Sequence, residues 1–544
     1  MNTALDVVLI GYNETPFENY LSTLRSYGED AEAYRDLKTN FFEVEGNNYT
    51  YLDLLNKLSD MELKSCDIPN LAAVYLSHFL LKRGLQVDFV NLFQEEKDKL
   101  RSLLEKNPVC VAITTTFYVI NLPVTEMVRF IRSCNPHVPI IIGGVLVSNH
   151  YNAYGKEDFF SALRDMEGDI FVLESQGEQT LYNLVTRLKN QQDLNEVKNI
   201  IYRQENGEFT MTERVIENNS LDSEAIDWSL FKHHDLGSTL QTRTARSCAF
   251  GCAFCGYPER GGPLTLASID TIAKELETMR ALGNVKNVVF IDDTFNVPKA
   301  RFKEFCRMLI DRQFDFNWFS YYRCDHGDEE ALDLMAASGC KGVFLGIESG
   351  SQEMLEKMNK RAKVTNYEKG IKNLKERGIM TFASLITGYP GETEATIRET
   401  IDFIKGNKPD YWRTMLWYCD PLTPVYQKKK EEFRIKGEGF KWEHYSMTSM
   451  EAADYIHEIF LTINPDESIW LPQYSFDFWV IPYLLGKGFS FSSFKSFMHL
   501  AQQALALEIA SVHPDMKTHR QQHLFDRIRK IFEPNVAEES KFLI

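Results

Sequence analysis

The sequence predicts an α/β protein in three parts: a doubly wound, Rossmann-like sheet over residues 1–190, a partial (β/α)6 barrel over 239–435 and a mostly helical domain over 436–544, with a connector at 191–238. Three observations predict it. Short apolar runs alternate with segments whose apolar residues recur at helical spacing, the pattern of a parallel sheet with crossover helices. Glycine-rich or polar loops follow the runs, as they do at strand carboxyl ends where ligands collect. Past residue 436 the alternation stops and aromatics crowd in, among them Trp442, Trp470, Tyr474, Phe476, Phe478 and Trp479.

In the first part, Asp6–Tyr12 reads as a buried strand, and 13–51 shows no clean period. Helical spacing covers Asn70–Arg83 and stops at Gly84. Gln86–Leu92 is a second strand and Lys97–Glu105 a helix. Pro108–Thr114 is a third strand, followed by Thr115, Thr116 and Phe117, then a helix at Val124–Cys134. Val138–Gly144 is a fourth, ending in paired glycines, and Ile170–Leu173 a fifth, followed by Glu174, Ser175, Gln176, Gly177 and Glu178. The loops at Tyr12, Thr115–Phe117, Gly143–Gly144 and Glu174–Ser175 would line one crevice, and the glycines would let backbone approach a flat ligand.

The connector holds a hairpin at Ile200–Thr210. Barrel strands follow at Leu240–Arg246, Val288–Asp292, Asn317–Arg323, Gly342–Glu348, Thr381–Thr387 and Tyr411–Tyr418, with helices between them. Barrel sites form at strand carboxyl ends. There Asp292 and Asp293 could touch a hydroxyl or cap the next helix. Arg323 could pair with a carboxylate, Glu348 could accept from a ribose or an ammonium, and Gly388 and Pro390 could admit a flat ring against backbone. Cys324 and Cys419 lie near strand ends as hydrogen donors or as small buried hydrophobes. The end domain reads as helices at Met450–Ile463 and Phe494–Ile509 packing over the barrel mouth, with His444 a base or a satisfied buried histidine.

Between the first and second barrel strands stands Arg-Ser-Cys-Ala-Phe-Gly-Cys-Ala-Phe-Cys, which spaces Cys248, Cys252 and Cys255 as C-x3-C-x2-C. Thiolates bind soft metals and iron–sulfur clusters, and three of them leave one iron open. The apolar residues between would keep a cluster dry. Three buried thiols, or part of a zinc site, are the alternatives, but no second cysteine pair follows at zinc spacing.

This loop resembles that of radical S-adenosylmethionine enzymes. The resemblance implies that Cys248, Cys252 and Cys255 hold a 4Fe-4S cluster, that S-adenosylmethionine chelates the open iron, and that its cleavage gives a 5′-deoxyadenosyl radical. It also implies that Asp292, Arg323, Glu348, Gly388 and Pro390 contact S-adenosylmethionine. The T-T-F, I-G-G and E-S-x-G-E loops resemble the cobalamin-binding domain that precedes many such barrels, so cobalamin would meet Tyr12, Thr115, Thr116, Phe117, Gly143, Gly144, Glu174 and Ser175. The D-x-H-x-x-G motif that supplies a cobalt-ligating histidine elsewhere is absent. A nucleotide-binding or purely structural sheet is the alternative. G-Y-N-E-x-P-F, W-Y-C-D-P-L-T-P-V-Y and W-x-H-Y-S-M are similar to stretches of the phosphinothricin-tripeptide P-methyltransferase family.

The resemblance implies a methyltransferase acting on an unactivated carbon or a phosphinate phosphorus of a small-molecule or peptide-like substrate, drawing electrons from a flavodoxin or ferredoxin. A radical cyclase or oxidative enzyme, and a non-catalytic cobalamin or cluster sensor, are the other readings. A net charge of −17 argues against binding nucleic acid through its phosphates. No apolar run reaches membrane-spanning length, and the first residues lack a basic-then-apolar leader. Ten cysteines, three of them packed together, suit metal chemistry in a reducing cytoplasm.

Overall fold

The computed structural model describes residues 5–28, 31–59, 61–64, 67–174, 176–474, 479–510 and 514–532; Ser175, Phe476 and Phe478 lie outside them. Packing divides the chain into two units that cut across its linear order. One comprises Met1–Pro16, Ser65–Cys248 and Gly256–Val285; the other comprises Phe17–Lys64, Ala249–Cys255 and Lys286–Ile544.

The first unit is built on a seven-stranded sheet. Its strands are β1 (Val7–Tyr12), β2 (Val87–Leu92), β3 (Cys110–Thr114), β4 (Ile140–Gly143), β5 (Ile170–Val172), β6 (Ile200–Arg203) and β7 (Phe209–Met211), in the order β2-β1-β3-β4-β5-β6-β7. The first five are parallel, and β6 and β7 are antiparallel. The parallel strands are nearly continuous apolar runs because helices cover both faces. Val7, Val8, Leu9 and Ile10 have no exposed surface, and each such burial is worth about 1.5–3 kcal/mol. The hairpin expected in the connector therefore extends this sheet. The strand expected at Leu240–Arg246 covers only Thr239–Thr242; Ala245–Arg246 turns aside to pair antiparallel with Thr265–Leu266.

In the second unit six parallel strands run in the order β8 (Asn287–Phe290), β9 (Asn317–Tyr322), β10 (Cys340–Glu348), β11 (Met380–Thr387), β12 (Tyr411–Leu416) and β13 (Ile469–Trp470). The last comes from the end region and pairs only with Tyr411 and Trp412. Trp318 packs outward among Phe290, Phe302 and Phe305, while Tyr321, Phe344 and Phe382 form a chain of ring contacts on the opposite face. The helices Ser449–Thr462 and Phe491–Ile509 lie within two or three residues of expectation.

Residues 17–64 hold helices at Phe17–Ser26, Glu32–Leu37 and Tyr51–Ser59 and a hairpin of Phe41–Val44 with Asn47–Thr50. They interrupt the first unit's sequence yet pack in the second. Trp470 Nε1 donates to the carbonyl of Thr39 (3.1 Å), and the backbone N–H groups of Gln473 and Tyr474 donate to Asn40 Oδ1 (2.7 and 3.1 Å). Among the described residues no helix is long and apolar enough to cross a membrane.

Candidate functional site

In the second unit the residues after the strands converge on the loop 249–255. Ala253 donates its N–H to the carbonyl of Met358 (2.8 Å) and accepts from the N–H of Val425 (2.9 Å), and Asn359 Nδ2 donates to the carbonyl of Gly251 (2.6 Å). Cys252 is buried and Cys255 half-buried. The two phenylalanines of the loop each sit on a cation. The Arg323 guanidinium lies 3.9 Å from the ring centre of Phe250, and Lys360 Nζ lies 5.6 Å from that of Phe254. Such contacts gain strength when the cation is out of water, up to about 2 kcal/mol.

Both cations belong to buried ion pairs. Arg323 holds Asp325 with two parallel bonds, Nε to Oδ1 (3.1 Å) and Nη2 to Oδ2 (2.9 Å), and Nη2 also reaches the carbonyl of Lys360 (3.0 Å). Burial alone would push the Asp325 carboxyl up, but bonds from His326 and Arg323 hold it well below the usual range. Asn296 brackets the Arg323 backbone, donating to its carbonyl (2.9 Å) and accepting from its N–H (3.0 Å). Lys360 Nζ meets Glu348 Oε1 at 2.7 Å. Glu348 has φ 64°, an uncommon conformation for a residue with a side chain, and follows an irregularity in the β10–β11 register. A Cβ at Gly346 would stand 2.7 Å from Glu348 Oε1, so glycine there leaves room for the carboxylate.

These contacts change two expectations. The Arg323 fork, offered by the sequence to a ligand carboxylate, is taken by Asp325. The space beside Gly388, expected to admit a flat ring, is filled from within: a Cβ there would stand 2.6 Å from Trp442 and 2.7 Å from Ala452. Pro390 is buried beyond it. His444 Nδ1 faces the N–H groups of Ser446 (3.4 Å) and Met447 (3.3 Å), so it accepts, and Nε2–H donates to the carbonyl of Gly388 (3.0 Å). Burial lowers its pKa, and both ring nitrogens are used, so His444 is a crosslink rather than a base. Asp292 is buried and Asp293 exposed; neither caps the next helix, which begins at Lys299 after Pro298. Burial pushes the Cys419 thiol up to about 12 and raises that of Cys324 further, as for small hydrophobes.

In the first unit, Cys248 follows Arg246 and Ser247. Ser247 has φ 72°, donates its N–H to Tyr257 Oη (3.1 Å) and donates its hydroxyl to the carbonyl of Gly262 (2.6 Å). The loops after β1, β3 and β4 come together as expected. Tyr12 touches the ring of Phe117 edge-on at 5.6 Å and stacks on Tyr118. Thr115 Oγ1 donates to the carbonyl of Gly143 (3.0 Å), and a Cβ on Gly144 would stand 3.0 Å from that oxygen. Gly144 has φ 115°, open only to glycine without strain. Thr116 and Phe117 are exposed. Glu174 is buried, with Arg214 Nε 3.6 Å away, and Ser175 lies outside the described residues.

Among the described residues no three His, Cys, Asp or Glu side chains gather tightly enough to hold a metal ion as they stand. The fit of the cysteine loop to a cluster rests on its donor chemistry: three thiols within eight residues, apolar spacers and a backbone pinned at Gly251 and Ala253. Sequence reading missed Asp325, Lys360 and Asn296. Lys360 and Asn296 carry no local mark because their partners Glu348 and Arg323 are brought close only by folding, and Asp325 is marked by nothing beyond standing two residues from Arg323.

Residues 242–404 match the family model of the Radical SAM superfamily. The anaerobic magnesium-protoporphyrin IX monomethyl ester cyclase of Rubrivivax gelatinosus is 24% identical over 393 residues, 69% of this chain and 68% of its own. The tryptophan 2-C-methyltransferase of Streptomyces laurentii is 29% identical over 187 residues, 32% of this chain and 31% of its own. Among solved structures, the radical S-adenosylmethionine methyltransferase TsrM of Kitasatospora setae, with cobalamin and a 4Fe-4S cluster bound, superposes with a TM-score of 0.63 at 16% identity, covering 97% of this chain and 99% of that one. The cobalamin-dependent S-adenosylmethionine radical enzyme OxsB gives 0.55 at 18% identity, over 97% and 72%. Residues 242–404 are therefore a radical S-adenosylmethionine domain, carried in a chain with the fold of cobalamin-dependent radical S-adenosylmethionine enzymes.

Proposed function

We propose that this chain is a cobalamin-dependent radical S-adenosylmethionine methyltransferase. The observation that carries the proposal is the C-x3-C-x2-C loop inside the matched domain, with its two phenylalanines seated on buried cations at the strand ends. Cys248, Cys252 and Cys255 hold the cluster, Glu348 and Lys360 lie where S-adenosylmethionine binds, and the loops at Tyr12, Thr115–Phe117 and Gly143–Gly144 hold the corrinoid. When bound, these groups supply a hydrogen-abstracting radical and a transferable methyl group.

The chain's own part is placement and exclusion of water. Arg323 and Lys360 each fix one phenylalanine of the cysteine loop, Phe250 and Phe254, apolar rings that would help to exclude water from a cluster. Glu348, paired with Lys360 at 2.7 Å, offers its carboxylate as an acceptor for an ammonium or a hydroxyl. The glycines after β4 present bare backbone to a flat ring. His150, the histidine in the helix after Gly144, is buried and engaged with Asn121 Oδ1 (3.0 Å), so it is committed within the fold.

The acceptor is a small molecule with an unactivated carbon or a phosphinate phosphorus, and the electron is drawn from a flavodoxin or ferredoxin. The test is anaerobic reconstitution with iron, sulfide and hydroxocobalamin, followed by assay of S-adenosylmethionine cleavage under a strong reductant. Bound corrinoid together with deoxyadenosine, the latter lost in a Cys248/Cys252/Cys255→Ala triple variant, is the expected result; no cleavage by the loaded wild type would overturn the proposal. A second reading, ring closure without methyl transfer, draws on the cyclase relative that matches 69% of the chain. A product heavier by one methylene, formed with S-adenosylhomocysteine, excludes it.

A further inference from the structure

The cysteine loop has an outer side. Gly251 in its middle is exposed, while Cys252 and Ala253 beside it are buried. Residues 358–363 of the same unit lie across the loop, and their burial alternates. Met358, Lys360 and Ala362 are buried; Asn359, Arg361 and Lys363 are exposed. The buried residues hold the interior, where the Met358 carbonyl accepts from Ala253 (2.8 Å) and Lys360 meets Glu348 (2.7 Å). Among the exposed ones, Asn359 Nδ2 donates to the carbonyl of Gly251 (2.6 Å). Arg361 and Lys363 follow it into solvent, and among the described residues no acid pairs with either.

Further contacts extend this surface round the loop. The helix Pro424–Phe433 begins on it, with the N–H of Val425 donating to the carbonyl of Ala253 (2.9 Å), and ends where the carbonyl of Phe433 accepts from the N–H of Tyr445 (3.0 Å). Tyr445 is 49% exposed, and its hydroxyl accepts from Lys357 Nζ (3.4 Å), next to residues 358–363. The stretch from Lys357 to Lys363 carries four cations, Lys357, Lys360, Arg361 and Lys363, and no acid. Glu353 offsets Lys357 (2.7 Å) and Glu348 offsets Lys360, so the unbalanced charges are those of Arg361 and Lys363.

This positive spot stands on a chain whose net charge is −17. Most of such a surface repels an acidic protein and this spot attracts it, so charge both selects the contact and speeds the encounter. An exposed tyrosine beside the cations suits a protein contact. The spot also lies against the backbone of the cysteine loop, where an electron bound for a cluster has little protein to cross. Contacts of electron carriers are small, under about 1,200 Å², so a few cations and one ring are enough. We propose that Arg361, Lys363 and Tyr445 form the docking surface for an acidic one-electron carrier protein, of the flavin or iron–sulfur kind. The carrier is oxidised by one electron and a cluster in the cysteine loop is reduced by one; no bond at the cluster forms or breaks. This rests on the proposed function and names its electron-entry surface.

The test is calorimetric titration of the anaerobically reconstituted full chain with oxidised flavodoxin and, separately, oxidised ferredoxin. Wild type should bind at least one of them, and the affinity should fall roughly tenfold between about 20 and 200 mM salt as screening shortens the reach of the charges. Arg361→Glu/Lys363→Glu should weaken that binding at low salt by at least roughly tenfold and flatten the salt response; Lys363→Glu alone serves if the double variant fails to fold. Lys495→Glu/Lys530→Glu, which reverses two exposed lysines of the end region, should leave the affinity unchanged. Deoxyadenosine formation driven by dithionite should stay at the wild-type rate in Arg361→Glu/Lys363→Glu, while formation driven by the reduced carrier falls. Absence of binding to both carriers, wild-type binding by Arg361→Glu/Lys363→Glu, or an equal loss in both double variants would overturn the proposal. The titration needs no turnover, so its failure is distinct from failure of the dithionite assay, which tests the function itself.

Discussion

At the strand ends of the first unit the chain sets out aromatic rings and bare backbone: Tyr12, an exposed Phe117, and Gly143–Gly144 against Thr115. At the strand ends of the second it sets out buried charge, with Arg323 on Asp325 and Lys360 on Glu348, their side chains 3–11% exposed. The contrast separates two ways of holding a ligand. Flat surfaces and missing Cβ atoms recognise a large ring by shape and ask little of electrostatics. Paired charges recognise and orient small polar groups, at the cost of desolvation that only complete pairing offsets. Damage should therefore spread differently: loss of one partner in the second unit leaves a buried charge alone, whereas loss of a ring in the first leaves a gap that solvent fills.

Arg323→Ala should produce the largest effect. It strands Asp325 and removes the cation under Phe250, for a loss of about 3–5 kcal/mol in denaturant unfolding, and iron retention should fall with it. Arg323→Lys, which keeps the charge but not the fork, should recover only part of that loss. In the first unit Gly144→Ala should cost about 1–3 kcal/mol through backbone strain and the Thr115 contact. Corrinoid uptake should fall while iron content stays at the wild-type level; a parallel loss of iron would break the contrast.

Glu392 gives a pH-dependent effect. It accepts the N–H of Gly388, and burial raises its carboxyl from 4.5 to about 8. Between those values the fold holds a proton that the unfolded chain has released, so its contribution to stability is lost as pH rises through that window. Glu392→Gln should flatten the decline in melting temperature across it. Phe117→Ala should matter least to folding, within about 0.5 kcal/mol because the ring is 65% exposed. It should still weaken corrinoid retention on a desalting column. A large stability loss there would show that the ring is a packing residue.

Much of the architecture was legible because its signals are local. Each parallel strand is an apolar run bounded by its own turn residues, and the cysteine spacing spans eight residues. The roles of Arg323 and Gly388 were legible only as positions. Arg323 stands at the end of β9 as expected, but its partner Asp325 had no signal beyond adjacency, and nothing near Gly388 announces that Trp442 will lie on it. The segment 17–64 was the least legible: it interrupts the first unit's chain without a clean period, and its helices are short.

By itself the sequence determined the two strand–helix alternations, the thiol spacing and the glycines whose backbone angles no other residue adopts without strain, because each depends on neighbours along the chain. Only the tertiary structure decided which unit claimed residues 17–64, that Phe250 and Phe254 rest on cations, and that Trp442 lies on Gly388. Those outcomes are sums of contacts between residues far apart in sequence. Burial and hydrogen-bond completion choose among many alternatives of similar local propensity, and that choice is made only when the whole unit packs.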